Sequence, residues 1–198
     1  AGGVVVGEDL GVVPAYVSKS LSEHGILGCA VEWFEQFDGV FRAPKDWRPY
    51  ALASVNTHDL PPAAGYLEYE HVKLREQLGL LSGPVEEFKK SAEAEHNAML
   101  NMLVKEGYLD ADVLEDELAN ENEIIDALYR GLKGSPCKLM AASIVDAVGE
   151  KRTQNQPGTC NEYPNWRIPL ADGDGNVVPL EELFGNTRLQ EIAAIMRG

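Results

Sequence analysis

"VVVGEDLG", residues 4 to 11, ends an apolar run with two adjacent carboxylates, Glu8 and Asp9. A short β-branched run bounded by glycine is typical of a buried strand of a parallel sheet, and residues 3–7 are interpreted as such a strand. Parallel α/β folds build their sites at the carboxyl ends of the strands. The stretch therefore predicts a strand that delivers acidic side chains to the functional edge of a sheet.

Two later segments repeat this order of an apolar strand followed by polar residues. We predict strands across residues 28–35, "GCAVEWFE", and residues 51–59, "ALASVNTHD". Between the first two strands, Pro14 suits the first turn of a helix and Gly25 suits its end, which predicts a helix from Pro14 to about His24. Strands that alternate with helices indicate an α/β fold with a parallel sheet.

The remainder of the chain is mostly helical by its pattern. Residues 66–134 predict helices, and one of them carries an amphipathic stripe that we assign to the core. The stripe consists of Val85, Phe88, Met99, Leu100 and Leu103. Residues 137–150 fit either a fourth strand or the start of an apolar helix, and periodicity leaves both open. Residues 155–170 are predicted to form a loop, and a final helix is predicted from about Pro179 to Met196.

The composition limits the classes of molecule that the protein is expected to bind. The 198 residues carry 17 Lys and Arg against 32 Asp and Glu, a net charge of −15, which disfavours nucleic acid and anionic membranes and fits neutral ligands. Much of the acidity lies between Glu86 and Asp126, which is also typical of a solvated helical face. No stretch reaches the roughly 18 apolar residues of a membrane span, and no secretory signal is recognisable. Because the chain starts almost directly in a strand, we expect a fragment.

The three cysteines, Cys29, Cys137 and Cys160, have neither a disulfide pattern nor metal-ligand spacing. We therefore expect no metal site and a reducing, cytoplasmic location.

Glu8 and Asp59 follow two different predicted strands, so adjacent parallel strands would direct both into one cleft. Two carboxylates that flank a bond are what glycoside cleavage requires, one as proton donor and one ionised. A glutamate beside an apolar strand suits the donor role, because desolvation raises its pKa. The structural alternative stays open for each acid, since Asp9 can also serve the N-terminus of the following helix.

His58 raises a hydrolase triad or a metal site as alternatives. The chain contains no G-x-S-x-G motif, and its other histidines lack metal-ligand spacing, so a hydrogen bond to a sugar hydroxyl fits His58 as well. Aromatic residues cluster near the predicted strand ends, where they either stack on sugar rings or fill the core. They are Trp33, Phe34, Phe37, Phe41 and Trp47.

Four segments resemble, in order and spacing, the C-terminal part of the 4-α-glucanotransferases of glycoside hydrolase family 77. They are "VVVGEDLGVVP", "FEQFDGVFRAPKDW", "ALASVNTHDLPPAAGY" and "NQPGTCNEYPNWR". The resemblance covers essentially the whole chain. It implies a (β/α)8 barrel with helical insertions and a retaining mechanism without a cofactor, acting on α-1,4-glucans such as maltooligosaccharides, glycogen or starch.

The resemblance also implies roles for individual residues. Glu8 of G-E-D-L-G corresponds to the general acid/base, and Asp59 of T-H-D to the stabiliser of the transition state. His58 corresponds to a sugar-binding neighbour of Asp59. Phe34 and Asp38 fall where the family lines its donor and acceptor subsites.

Three residues of the last matching segment complete these expectations. Asn155 of N-Q-P-G-T is expected to contact sugar hydroxyls. Trp166 and Arg167 are expected to brace the rim of the barrel rather than touch substrate.

One departure changes the expectation for activity. The nucleophile of the family lies in an R-x-D motif on an earlier strand, and this motif does not occur in the 198 residues.

We expect an α/β fold that is the C-terminal half, about strands 5–8, of a (β/α)8 TIM barrel with a helical insertion. Residues 1–65 would carry the catalytic acids, 66–135 the insertion, and 136–198 the last strand, rim loop and final helix. The chain alone is expected to be inactive, and its open sheet edges to favour a dimer.

Two other classes of protein remain as alternatives. A non-catalytic carbohydrate-binding module would hold glucan with its aromatic residues, and its acids would only accept hydrogen bonds. A structural domain would bind no ligand.

Overall fold

The central sheet is parallel and follows the order of the chain. A computed structural model describes residues 2–197. Its strands are β1 (Gly28–Val31), β2 (Gln36–Phe37), β3 (Val40–Phe41), β4 (Ala51–Ser54) and β5 (Leu139–Ala141). β1, β4 and β5 form a parallel sheet in that order, while β2 and β3 form a separate antiparallel hairpin. The fold class is α/β, as the sequence predicts.

The first predicted strand is reduced to an extended stretch beside β1. Val6 forms an isolated parallel bridge with Leu27, and the Gly7 amide donates to the Leu27 carbonyl at 2.7 Å. The prediction that this strand is buried is wrong, because Val4, Val5 and Val6 are 68%, 59% and 36% exposed. Within residues 2–197 the stretch has one neighbouring strand, so its other edge and one of its faces meet no packing partner.

The helices agree with the sequence except at their ends. They are α1 (Ala15–Glu23), α2 (Ala63–Leu67), α3 (Glu70–Gln77), α4 (Val85–Lys105), α5 (Glu121–Gly134), α6 (Ile144–Ala147), α7 (Leu180–Leu183) and α8 (Thr187–Arg197). The segment left open between strand and helix contains both, β5 and then α6. The final helix is divided, because the Asn186 side chain accepts from the Leu189 amide at 3.0 Å and so caps a new helix.

β1 and β4 are both shorter than the strands predicted at residues 28–35 and 51–59. After Val31 the chain turns into a 3₁₀-helix, Glu32–Phe34, in which Glu32 and Trp33 are both buried. This helical turn ends β1 at Val31.

Helices cover only one face of the sheet. Ala30, Ala51 and Ala53 are fully buried on that face, whereas Leu139 in the neighbouring register is 39% exposed. The predicted α4 stripe enters the core, with Met99, Leu100, Leu103 buried and Val85 and Phe88 half-buried. Across residues 2–197, no helix has the length and apolarity that a membrane crossing requires.

Candidate active site

The two carboxylates that follow the first extended stretch point in different directions. Glu8 is exposed, whereas the Asp9 side chain has no solvent exposure. Adjacent residues of an extended chain alternate in direction, which accounts for the difference. The expected desolvation of Glu8 is wrong for this chain, since the valines beside it are exposed as well.

Asp9 is held by a bidentate ion pair. Arg48 donates to its two carboxylate oxygens at 2.6 and 2.7 Å, and the Cys29 amide donates at 2.8 Å. Burial raises the pKa of Asp9, but the hydrogen bonds from Arg48 and Cys29 outweigh it, and the net pKa is lowered. Asp9 does not cap α1, because its contact with that helix is the Ser18 hydroxyl, at 3.1 Å. Asp9 therefore fixes the strand end that carries Glu8.

The aromatic residues near the strand ends divide into two groups. Trp33, Phe41 and Trp47 are 4%, 6% and 2% exposed and belong to the core, whereas Phe34 and Phe37 are 49% and 77% exposed. The core assignment is therefore confirmed for the three buried rings, while sugar stacking by Phe34 and Phe37 stays a prediction.

Phe34 and Asp38 lie on the loop that follows β1. Phe34 lines a cavity of about 530 Å³ that Leu10 and Gln36 also border. Asp38 is exposed at the tip of the β2–β3 hairpin, where it and Gly39 have φ of 49° and 74°. Consecutive positive φ angles at Asp-Gly are typical of a two-residue hairpin turn. No hydrogen bond within residues 2–197 joins Phe34 or Asp38 to the residues that follow β4.

The residues that follow β4 form a compact polar cluster. Asn155 donates from Nδ2 to Oδ1 of Asp59 at 2.6 Å, and Nε2 of His58 lies 3.4 Å from the same oxygen. The backbone adds a further link, since the Asn155 amide donates to the His58 carbonyl at 3.1 Å. Three residues that the sequence nominates are therefore in contact, although Asn155 is 96 positions from Asp59.

This cluster borders a cavity of about 520 Å³ between α3 and the loop after α6. Its walls include Asp59, His71, Leu74 and Tyr163. Burial, with a contribution from Arg75, lowers the pKa of His71 to about 4, so its ring is neutral at pH 7. The walls combine apolar residues such as Leu74 with charged ones such as Glu70 and Lys151.

Trp166 lies beside the cluster. It is 63% exposed, and its ring centroid lies 5.0 Å from that of His58. Arg167 is also exposed. The bracing role of both residues stays a prediction.

A buried anchor that sequence reasoning did not identify supports the cluster. Asn56 donates to both oxygens of Asp146 at 2.8 and 2.9 Å, and the Ala63 amide and Tyr129 hydroxyl each donate to Asp146 at 2.7 Å. The only sequence signal was the polar Asn56 directly after an apolar strand. Within residues 2–197, no group of three or more His, Cys, Asp and Glu side chains is arranged to hold a metal ion.

The fold and the site define an α/β protein in which a carboxylate, an amide and an imidazole are in contact after a strand of a parallel sheet. The family model described as 4-alpha-glucanotransferase, glycoside hydrolase family 77, matches residues 1–173. The chain belongs to this family.

Curated relatives carry the same name. The 4-alpha-glucanotransferase of Mycobacterium tuberculosis is 47% identical over 202 residues, which cover 100% of this chain and 27% of the relative. That of Haemophilus influenzae is 31% identical over 190 residues, covering 94% of this chain and 26% of the relative. The chain thus spans about a quarter of the length of these relatives.

Two solved structures are similar to the fold. Amylomaltase from Corynebacterium glutamicum superposes with a TM-score of 0.90 at 38% identity, covering 98% of this chain and 29% of that one. Amylomaltase from Streptococcus agalactiae, solved in complex with acarbose, gives a TM-score of 0.58 at 17% identity, over 96% of this chain and 30% of that one. The second likeness concerns the fold alone.

Proposed function

We propose that this chain is part of a 4-α-glucanotransferase that transfers α-1,4-glucan segments between maltooligosaccharides by a retaining double displacement. The proposal is supported by two observations together, namely that this chain belongs to the family and that the strands of its central sheet are parallel. The parallel order brings the end of the Val6 stretch, with Glu8, and the end of β4, with Asp59, to the same edge of the sheet.

Glu8 acts as the general acid/base in this proposal. Its exposed carboxyl group is accessible to a substrate, and the Asp9–Arg48 pair next to it fixes the backbone. Glu8 donates a proton to the leaving glycosidic oxygen and then accepts one from the acceptor hydroxyl.

Asp59 stabilises the positive charge that develops on the donor sugar. Its hydrogen bond from Asn155 holds the carboxylate in one orientation, which reduces reorganisation during the reaction. His58 donates to a sugar hydroxyl, and the side-chain carbonyl oxygen of Asn155 accepts from another. Phe34 and Asp38 contribute to glucan subsites from the neighbouring loop.

The sheet is proposed to be the C-terminal half of a (β/α)8 barrel, with residues 1–65 and 136–198 as barrel units and 66–135 as a helical insertion. The parallel order supports this, as does a sheet that helices cover on one face only. The uncovered face carries the half-exposed Leu139, and the free edge carries Val4–Val6. In a closed barrel both would be packed.

These 198 residues carry two of the three carboxylates that the mechanism needs. The R-x-D motif of the nucleophile does not occur among them, so this stretch by itself forms no covalent glycosyl intermediate. The chain alone is therefore expected not to disproportionate maltotriose.

A chimera tests the assignment. The matched segment of the Mycobacterium tuberculosis relative is replaced by this chain, and glucose release from maltotriose is measured. We expect transfer by the chimera, a loss of about 10²- to 10⁴-fold in Glu8→Gln, and a loss of about 10²- to 10³-fold in Asp59→Asn.

The control variant is Glu115→Gln, an exposed glutamate outside the site, which should leave transfer unchanged. If the chain is instead a non-catalytic glucan-binding module, the Glu8→Gln chimera should retain full transfer activity. That result would exclude Glu8 as the acid/base.

A further inference from the structure

Trp166 has a backbone conformation that bulky residues rarely adopt. Its φ is 62°, and within residues 2–197 only Asp38 and Tyr69 share a positive φ among residues other than glycine. Such strain persists where the surrounding structure imposes it, and it concentrates at functional sites.

Hydrogen bonds of the rim loop impose this conformation. The Trp166 amide donates to the Gln154 carbonyl at 2.9 Å, and the Gln156 amide donates to Oδ1 of Asn165 at 2.8 Å. Asn165 also donates from Nδ2 to the Thr159 hydroxyl at 2.8 Å. The loop therefore fixes the backbone at Trp166.

Burial in the core does not explain why a tryptophan occupies position 166. Trp166 is 63% exposed, whereas the other two tryptophans of the chain, Trp33 and Trp47, are 4% and 2% exposed. A flat, apolar surface is presented to solvent at a cost in backbone strain.

The surroundings of this surface indicate its ligand. The ring lies 5.0 Å from the imidazole of His58 at an interplanar angle of 46°, and His58 contacts Asp59. Hydrogen-bonding side chains therefore lie beside an apolar ring. A pyranose ring has the complementary character, with C–H groups on its faces and hydroxyl groups at its edge.

We propose that Trp166 is a carbohydrate-stacking residue that binds one glucosyl ring of an α-1,4-glucan beside His58 and Asp59. The inference rests on the proposed function, since it concerns the same site. Stacking removes apolar surface of both rings from water, and the rigid loop keeps the entropic cost of binding low.

Tryptophan fluorescence tests the inference on the unaltered chain. Because Trp33 and Trp47 are buried, quenching by acrylamide reports on Trp166. Saturating maltotriose is expected to lower the quenching constant about twofold, since a stacked sugar covers one of the two ring faces. Unchanged quenching at saturation, with binding verified by calorimetry, would overturn the inference.

A substitution provides a second, independent readout. Trp166→Gly removes the ring and relieves the strained φ, so the urea midpoint should stay the same or rise. The Kd for maltotriose measured by calorimetry should rise about tenfold, while Trp166→Phe, which keeps a flat face, should change it about threefold or less.

The matched control is Phe184→Ala, an exposed aromatic residue at the end of α7, which should leave the Kd unchanged. A wild-type Kd in Trp166→Gly would overturn the stacking role and leave the proposed function intact. Absence of any maltotriose binding by the wild-type chain would instead remove glucan binding itself, and the inference with it.

Discussion

Asn56 Nδ2 lies 2.8 Å from Oδ1 and 2.9 Å from Oδ2 of Asp146, and both residues are buried. This contact joins the end of β4 to α6, the helix after β5, across 90 positions of the chain. His58 and Asp59 lie two and three residues after Asn56. The position of the candidate site relative to the sheet therefore depends on a carboxylate that is not itself in the site.

Asp146→Ala should lower the free energy of unfolding by about 3 kcal/mol, since it leaves buried donors of Asn56, Ala63 and Tyr129 without an acceptor. Urea denaturation at pH 7 measures the loss. The matched control is Asp112→Ala at an exposed position, expected within about 0.5 kcal/mol of wild type. Equal urea midpoints for the two variants would contradict the anchoring role.

Glu32 should make stability fall as pH rises. It has no solvent exposure, its two carboxyl oxygens lack hydrogen-bond partners within the described residues, and burial together with Glu35 raises its pKa from 4.5 to about 8. Above pH 4.5 the unfolded chain is ionised at Glu32 while the folded chain stays protonated up to about pH 8. The unfolded state therefore binds fewer protons in this window, and stability decreases across it.

Glu32→Gln removes the titration and isolates the effect. Its advantage in unfolding free energy over wild type should grow by roughly 1.4 kcal/mol per pH unit between pH 5 and 8. Urea titrations of both proteins at several pH values measure this difference. The exposed Glu115→Gln should show no such trend, and a pH-independent advantage of Glu32→Gln would contradict the ionisation argument.

Local patterns predicted much of the fold. Pro14 and Gly25 correctly bounded α1, and the stripe at Met99, Leu100 and Leu103 correctly predicted a core helix. The order of apolar run followed by polar residues predicted β1 and β4 and the edge that carries the site. Each of these features depends on residues that are close in sequence, which is why a pattern can report them.

Features that depend on distant partners were not predictable. Asp9 pairs with Arg48, which is 39 positions away, and Asn56 is hydrogen-bonded to Asp146, which is 90 positions away. The burial of Val4–Val6 was predicted from their apolar character, but burial also needs a second neighbour. The roles of Glu8, Asp59, His58, Phe34, Asp38 and Asn155 remain predictions.

Gly28 and Arg48 should be energetically coupled. A Cβ at Gly28 would lie 2.6 Å from the guanidinium carbon of Arg48, which Asp9 holds in place. Gly28→Ala should therefore cost about 1 to 3 kcal/mol through overpacking. Arg48→Ala should cost about 3 to 5 kcal/mol, because Asp9 is left as an unpaired buried charge.

A double-mutant cycle measures the coupling by urea denaturation. Once Arg48 is truncated, the added methyl group has room, so Gly28→Ala should cost little in that background. We expect the double variant to be more stable than the sum of the single effects by about 1 kcal/mol or more. Additive effects would show that Arg48 moves aside freely and that the pair does not constrain the strand.

The free edge of the sheet should make the chain self-associate. Val4–Val6 combine exposed β-branched side chains with a backbone that pairs on one side only within the described residues. Such edges pair with a second copy, and a lysine on the edge prevents it. Val5→Lys should therefore shift the chain toward monomer in size-exclusion chromatography with light scattering at increasing concentration.

The matched control is Val12→Lys, which adds the same charge at a fully exposed loop position outside the edge. General charge repulsion acts equally in both variants. If Val5→Lys shifts the chain toward monomer more than Val12→Lys does, the difference must come from an edge contact. Equal effects would assign the association to net charge. A wild-type chain that stays monomeric at every concentration would contradict the prediction of edge pairing.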